Sequence, residues 1–285
     1  MTQARYGVLV LAAALSACAS SGTRRAPPPP TTVAAGVALN TSGPWTVVAS
    51  SKAEQVAITA DAIVVISSDT VVQTDTVRAT LAASYTWTGS TPRRVDGQVT
   101  DFRVAIGTSA PGVPSGLRLP RPFSATATAA TTSLAFVLPA EATACTDPAL
   151  SSVQGLQDAW VAIPATLSIG QQWTDTVHTL SCRDRVPLRA TSVRRFVVRR
   201  TEIENGQRVL VVIERSAHGR LTGEGDQFGE KVAITGESSG SMVYLLDPAA
   251  GHFVRASGTS ALSFSLKSSR RNQNIKQTSV LSLAW

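Results

Sequence analysis

The residues most suggestive of chemistry are Gly236-Glu237-Ser238-Ser239-Gly240, followed by Asp247 and His252. A serine flanked by glycines, with a carboxylate and an imidazole after it, is the set needed for acyl transfer. The imidazole activates the hydroxyl, and nearby backbone N–H groups hold the oxyanion. That chemistry requires the serine to stand on a strained turn from strand into helix. Here Val232–Thr235 and Ser241–Leu246 read as strands, so the motif is expected to be a hairpin loop with its hydroxyl in water. Asp247 and His252 fall in the next turn, too close in sequence to come from separate loops. No catalytic residue is therefore assigned, and a hydrolase using Ser238 is the third and weakest functional reading.

Other constellations are weaker still. Gly219, Gly223, Gly225 and Gly229 are not followed by Lys-Ser/Thr or a helical pattern, so they spell no phosphate loop. With Glu224, Asp226 and Glu230 they read as a solvated hairpin loop, without the alternating carboxylates of a strong calcium site. His178, His218 and His252 are isolated from one another and two cysteines lack companion ligands, so neither a metal nor a cofactor is expected.

The first 18 residues carry the most specific signal. Arg5 precedes an apolar run, Gly7–Leu15, too short for the ~20 residues that span a bilayer. Leu15-Ser16-Ala17-Cys18 follows. This segment resembles the lipobox signal of bacterial lipoproteins. The resemblance implies a signal peptide over 1–17, cleavage before Cys18, a diacylglyceryl thioether on its sulfur and acylation of the new amine. Two or more acyl chains anchor stably where one is marginal. Ala19 and Ser20, with no Asp after Cys18, imply sorting to the outer membrane, facing the periplasm. Residues 18–44, with Pro27–Pro30, read as a lipidated tether rich in Pro, Ser and Thr. In an exported compartment Cys145 and Cys182 are expected to form one disulfide.

Net charge is +7, from 26 Lys+Arg against 19 Asp+Glu. The doublets Arg93-Arg94, Arg194-Arg195, Arg199-Arg200 and Arg270-Arg271 read as a solvated sheet face, able to rest near anionic head groups. They are not interleaved with stacking aromatics, which argues against nucleic acid.

The elements that would position any site are strands. Tyr85/Trp87, Phe102/Val104/Ile106, Leu134/Phe136/Leu138, Leu262/Phe264/Leu266 and Leu281/Leu283/Trp285 alternate with polar residues, which gives antiparallel strands with one wet face. Asp96-Gly97 and Asn205-Gly206 look like two-residue hairpin turns, and Asp247–Gly251 like a type I turn closed by a left-handed glycine. Val209–Ile213 and Met242–Leu246 are apolar on both faces and must be covered on both. Asp147-Pro148 followed by Leu150, Val153, Leu156, Gln157 and Trp160 predicts one short helix ending before Pro164. Thr74-Asp75-Thr76-Val77 recurs as Thr174-Asp175-Thr176-Val177, each ahead of a Gly-Gln pair, hinting at similar halves over 45–140 and 160–285.

The expected fold is mainly β: an antiparallel curved sheet or half-barrel over residues 45–285 with one short covering helix. It resembles, at the level of architecture only, the open barrel of lipoprotein-carrier proteins. The leading functional expectation is a membrane-anchored binding module for an apolar or lipid-like ligand. The alternative is a structural or interaction protein of the cell envelope.

Overall fold

The computed structural model describes residues 39–48, 52–68, 71–88, 93–127, 135–136, 145, 156, 159, 161–183, 186–227 and 229–285. Their strands are β1 (Trp45–Thr46), β2 (Ala53–Ser68), β3 (Val72–Thr88), β4 (Arg93–Ile106), β5 (Arg121–Ala127), β6 (Ala135–Phe136) and β7 (Thr166–Leu167). They continue with β8 (Gln172–Arg183), β9 (Val186–Glu204), β10 (Arg208–Gln227), β11 (Glu230–Asp247), β12 (His252–Lys267) and β13 (Asn272–Ala284). Each long strand pairs antiparallel with its sequence neighbour, in the orders β2-β3-β4-β5-β6 and β8-β9-β10-β11-β12-β13. The two meanders meet side by side along β2 and β13, where the Ser67 hydroxyl donates to the Asn274 carbonyl at 3.2 Å. With the two-residue β6 set aside, ten strands thus form one curled antiparallel half-barrel.

Period two decides which way each strand faces. The concave face of β9 carries Val186, Leu188, Phe196 and Val198, all buried, while Arg189, Thr191 and Arg195 point out and are exposed. A membrane-spanning barrel has the reverse arrangement, with an apolar band outside. Trp285, at the end of β13, packs against the inner core, and its Nε1 donates to the Tyr85 hydroxyl at 2.7 Å.

Two apolar clusters occupy the concave face. One lies at the β13 C-terminal end and includes Val56, Leu81, Phe196, Tyr244 and Leu283. It is topped by the small β1–β7 ladder, in which Trp45 pairs with Leu167, and by Leu156 and Val161. The other lies at the opposite end and includes Val186, Leu188, Ile234, Phe264 and Ile275. The doubly apolar runs are covered on both faces. Val211, Ile213, Tyr244 and Leu246 join the first inner cluster, while Leu210, Val212 and Leu245 pack with Val254 on the other side.

Turns are present at both Asn205-Gly206 and Asp247–Gly251, but the first is a three-residue connection, Asn205–Gln207, between the paired Glu204 and Arg208, not a two-residue one. Asn205 and Gly206 have φ of 52° and 70°, and Gly251 has φ of 72°. Asp247 organises its own turn, since Oδ1 accepts from the N–H groups of Ala249 (2.9 Å) and Ala250 (3.0 Å). Burial opposes ionisation of Asp247, but the Ala250 N–H, Arg208 and the Ala249 N–H outweigh it. Its carboxyl is held below the usual aspartate range.

Three expectations are corrected. Asp96 and Gly97 are not a hairpin turn; they lie inside β4, opposite Thr86 and Tyr85. Gly219–Gly225 and their acids are strand, because β10 runs to Gln227 and the turn begins only there. Residues 236–240 are the middle of β11, not a loop. The repeated Thr-Asp-Thr-Val segments lie in β3 and β8, but one Gly-Gln pair is in a strand and the other in a turn. Most of the predicted helix, with Asp147, Pro148, Leu150, Val153, Gln157 and Trp160, lies outside the described residues, as do Leu134 and Leu138. Leu156 and Ala159 are buried and joined by one turn hydrogen bond of 2.9 Å. No α-helix occurs among the described residues. Packing reaches back into the expected tether, where Trp45 Nε1 donates to the Asn40 carbonyl and Thr201 Oγ1 to that of Thr41.

Candidate functional site

Residues directly opposite in an antiparallel ladder share a face. The register therefore places two inward rows between the apolar clusters. One is Asp175–Arg194–Ala217–Gly240–Ser260–Ser279; the next is Val177–Ser192–Gly219–Ser238–Leu262–Gln277. The rows on either side carry the large buried residues Leu221, Phe264 and Ile275, and Phe196, Arg215, Met242 and Leu281, interrupted by Ala190, Gly236 and Gly258. Within it, Ser192, Ala217, Gly219, Ser238, Gly240 and Ser260 face inward yet are only half-buried. The middle of the concave face is thus a floor of small, half-buried side chains between the two apolar clusters.

The belt has a charged end and a polar end. At the β8 side Arg194 grips Asp175 through two hydrogen bonds, Nε to Oδ1 at 2.7 Å and Nη2 to Oδ2 at 2.5 Å. Both side chains are almost fully buried, at 3% and 0% exposure. At the β13 side Gln277 Nε2 donates to Ser279 Oγ at 3.1 Å, and both residues are buried. Above the belt runs an arc of linked aromatic rings. Trp173 stacks on Phe196 at 5.1 Å, and Tyr244, Phe253 and Trp285 continue the line at 6.5, 5.1 and 5.5 Å. Trp285 is hydrogen-bonded to Tyr85, whose ring meets Trp87 edge-on at 6.4 Å. The Arg194 and Arg215 guanidinium groups stand 5.5 and 5.9 Å from the Phe196 and Tyr244 ring centroids. Phe196, Tyr244, Phe253 and both arginines are buried, while Trp87, Trp173 and Trp285 at the ends of the arc are half-buried, as are the belt's Ser238 and Ser260.

Glycines make the curl possible. A Cβ on Gly236 would sit 2.5 Å from the Ser263 carbonyl oxygen and against Phe264; one on Gly219 would sit 2.6 Å from Ser238 Oγ. Neighbouring strands close over these positions, which is the usual role of glycine in a bent strand.

Ser238 is thus an inward belt residue opposite Gly219 and Leu262. Asp247 and His252 face each other at the end of the β11–β12 hairpin. Nine residues of β11 separate Ser238 from Asp247, about 30 Å at the usual rise, so the three do not form a triad. Cys145 and Cys182 are joined, with Cα atoms 5.0 Å apart, near the end of β8. Cys18 lies outside the described residues. Among the described residues no group of three or more His, Cys, Asp or Glu side chains is placed to hold a metal ion. The arginine doublets are not one basic patch: Arg194 is buried on Asp175, Arg94 pairs with Asp96, Arg199 with Glu214, Arg200 with Glu202 and Arg270 with Glu230. Compared with protein-family models and with curated proteins, the chain matches none.

Proposed function

We propose that this chain is an envelope lipoprotein, held to the outer membrane through acyl chains on Cys18, whose half-barrel binds an apolar or lipid-like ligand. The observation that carries the binding role is the half-open belt. Its small inward residues lie between two closed apolar clusters, beside the aromatic arc. An acyl chain would find apolar walls there, and a polar head would find Ser238, Ser260 and Gln277. The anchor is supported by Leu15-Ser16-Ala17-Cys18. A second reading, a structural or interaction protein of the envelope, is favoured by one feature: the aromatic end of the concave face is filled by Trp45, Leu156, Val161 and Leu167.

Two results are expected. Protein purified from its own membrane and extracted with organic solvent should release a stoichiometric lipid identifiable by mass spectrometry. Protein that releases none, and takes up no fluorescent fatty-acid analogue, supports the structural reading instead. Separately, Cys18→Ala should accumulate as an unlipidated precursor. A variant that matures to wild-type size and stays membrane-bound contradicts the anchor without touching the binding role.

A further inference from the structure

A recess of about 630 Å³ opens on the convex face where β13, β2, β3 and β4 adjoin; the belt residue Ser279 is among its lining residues, between the outward-facing Thr278 and Val280. Its floor is built by outward residues of four adjacent strands: Val280 and Thr278 of β13, Asp61 and Ile63 of β2, Arg78 of β3 and Ala105 of β4. Asp61, Arg78 and Ala105 are successive cross-strand partners, as are Ile63 and Thr76. The segment 107–111 forms a wall and leaves the outward-facing Ala105 only 8% exposed. That wall is fixed. Gly107 N–H donates to the Thr76 carbonyl at 2.8 Å, Ile106 N–H to Ser109 Oγ at 2.8 Å, and Gly112 exchanges two backbone bonds with Val104. The recess is therefore preformed, and its volume suits a small organic ligand.

Its chemistry is specific. Arg78 binds Asp61 in a fork, Nε to Oδ1 at 2.5 Å and Nη2 to Oδ2 at 2.8 Å. The pair cancels in charge, so the recess does not select a strongly charged ligand. It still presents further N–H donors from a planar guanidinium and further lone pairs on a carboxylate, held in one geometry. The Thr76 and Thr278 hydroxyls sit beside it. Apart from Thr108, Ser109 and Ser279 the remaining side chains are aliphatic: Ile63 is 53% exposed, and Val280 and Pro111 also line the recess. A ligand matching this surface is neutral, carries adjacent hydroxyls on one edge and turns a C–H face to the aliphatic floor. We propose that the convex recess binds a saccharide, with vicinal hydroxyls bridging Asp61 and Arg78 and the ring face lying on Ile63. The contacts proposed for the sugar lie on the outward face of the sheet, opposite the belt, and none involves the anchor.

The test is saturation-transfer NMR on the full-length chain with D-glucose, N-acetyl-D-glucosamine, glycerol and butyrate as probes. Each is supplied at about 20 mM, which suits millimolar affinities. Transfer to the ring protons of at least one sugar is expected, together with a shift of the labelled Ile63 methyl. Both should fall at least ten-fold in Arg78→Ala and in Asp61→Ala. Because the pair is surface-exposed, those variants are expected to fold; the Ile63 methyl shift in the wild type tests the site without them. Transfer to butyrate alone, to none of the probes, or to a sugar with no response at Ile63 overturns the proposal. So does sugar transfer that survives both substitutions.

Discussion

Asp175→Ala should destabilise the protein by about 3–5 kcal/mol, the usual cost of removing one partner from a buried ion pair. In a domain of this size that lowers Tm by about 10 °C. The reason is the location of the pair. Asp175 has 0% side-chain exposure and accepts both forks of Arg194, itself 3% exposed. Taking away the carboxylate removes the anion that faces a guanidinium water does not reach. The double variant Asp175→Leu with Arg194→Met should recover much of the loss, because it removes the charge along with its partner. Thermal and urea unfolding of the three proteins decides the matter. A cost for Asp175→Ala below about 1 kcal/mol, typical of exposed pairs, would show that water reaches the belt's charged end.

Gly258→Val should cost about 2–3 kcal/mol, at the upper end for overpacking. Gly258 lies on the concave face of β12 opposite Met242, and a Cβ there would collide with the Ser241 carbonyl oxygen and sit 2.5 Å from Met242 Cγ. Backbone cannot swing aside as a side chain can, so the strands must separate. Gly112→Ala is the matched control. A Cβ at Gly112 meets nothing within 4 Å, and the change should stay within about 0.5 kcal/mol. Equal effects at the two positions would mean that close strand approach does not set the curl.

Alternation at Tyr85/Trp87 and Leu262/Phe264/Leu266 gave strands, and Asn205-Gly206 gave a hairpin, because each depends only on neighbours in sequence. The errors share one physical cause. Gly97, Gly219 and Gly236 look like turn residues, but they are glycine because cross-strand neighbours lie where their side chains would be. Tyr85 and Phe123 crowd Gly97; Phe264 crowds Gly236. Those partners are remote in sequence and no local pattern names them. One signal was available: Gly236, Ser238 and Gly240 are small at every second position, the period of a strand face, not of a loop. Strand periodicity also separates Arg194 from Arg195. Adjacent residues in a strand face opposite ways, so one of the two must point inward. Arg194 does, and meets Asp175 nineteen residues earlier. At Arg199-Arg200 a bulge, where Val212 and Ile213 pair with Arg200 and Val198, leaves both arginines outside.

If a lipid-like ligand sits in the concave belt, the lipid retained per chain must differ between wild type and Ser260→Leu. Ser260 faces inward between Gly240 and Ser279 and is half-buried. A leucine there would cover the small belt residues without breaking a hydrogen bond seen in the fold. Mass spectrometry of extracts from equal amounts of the two proteins should show retained lipid falling at least ten-fold in Ser260→Leu, with an unchanged thermal transition. Equal lipid in both proteins, with the variant folded, would contradict the assignment of the belt as the binding site.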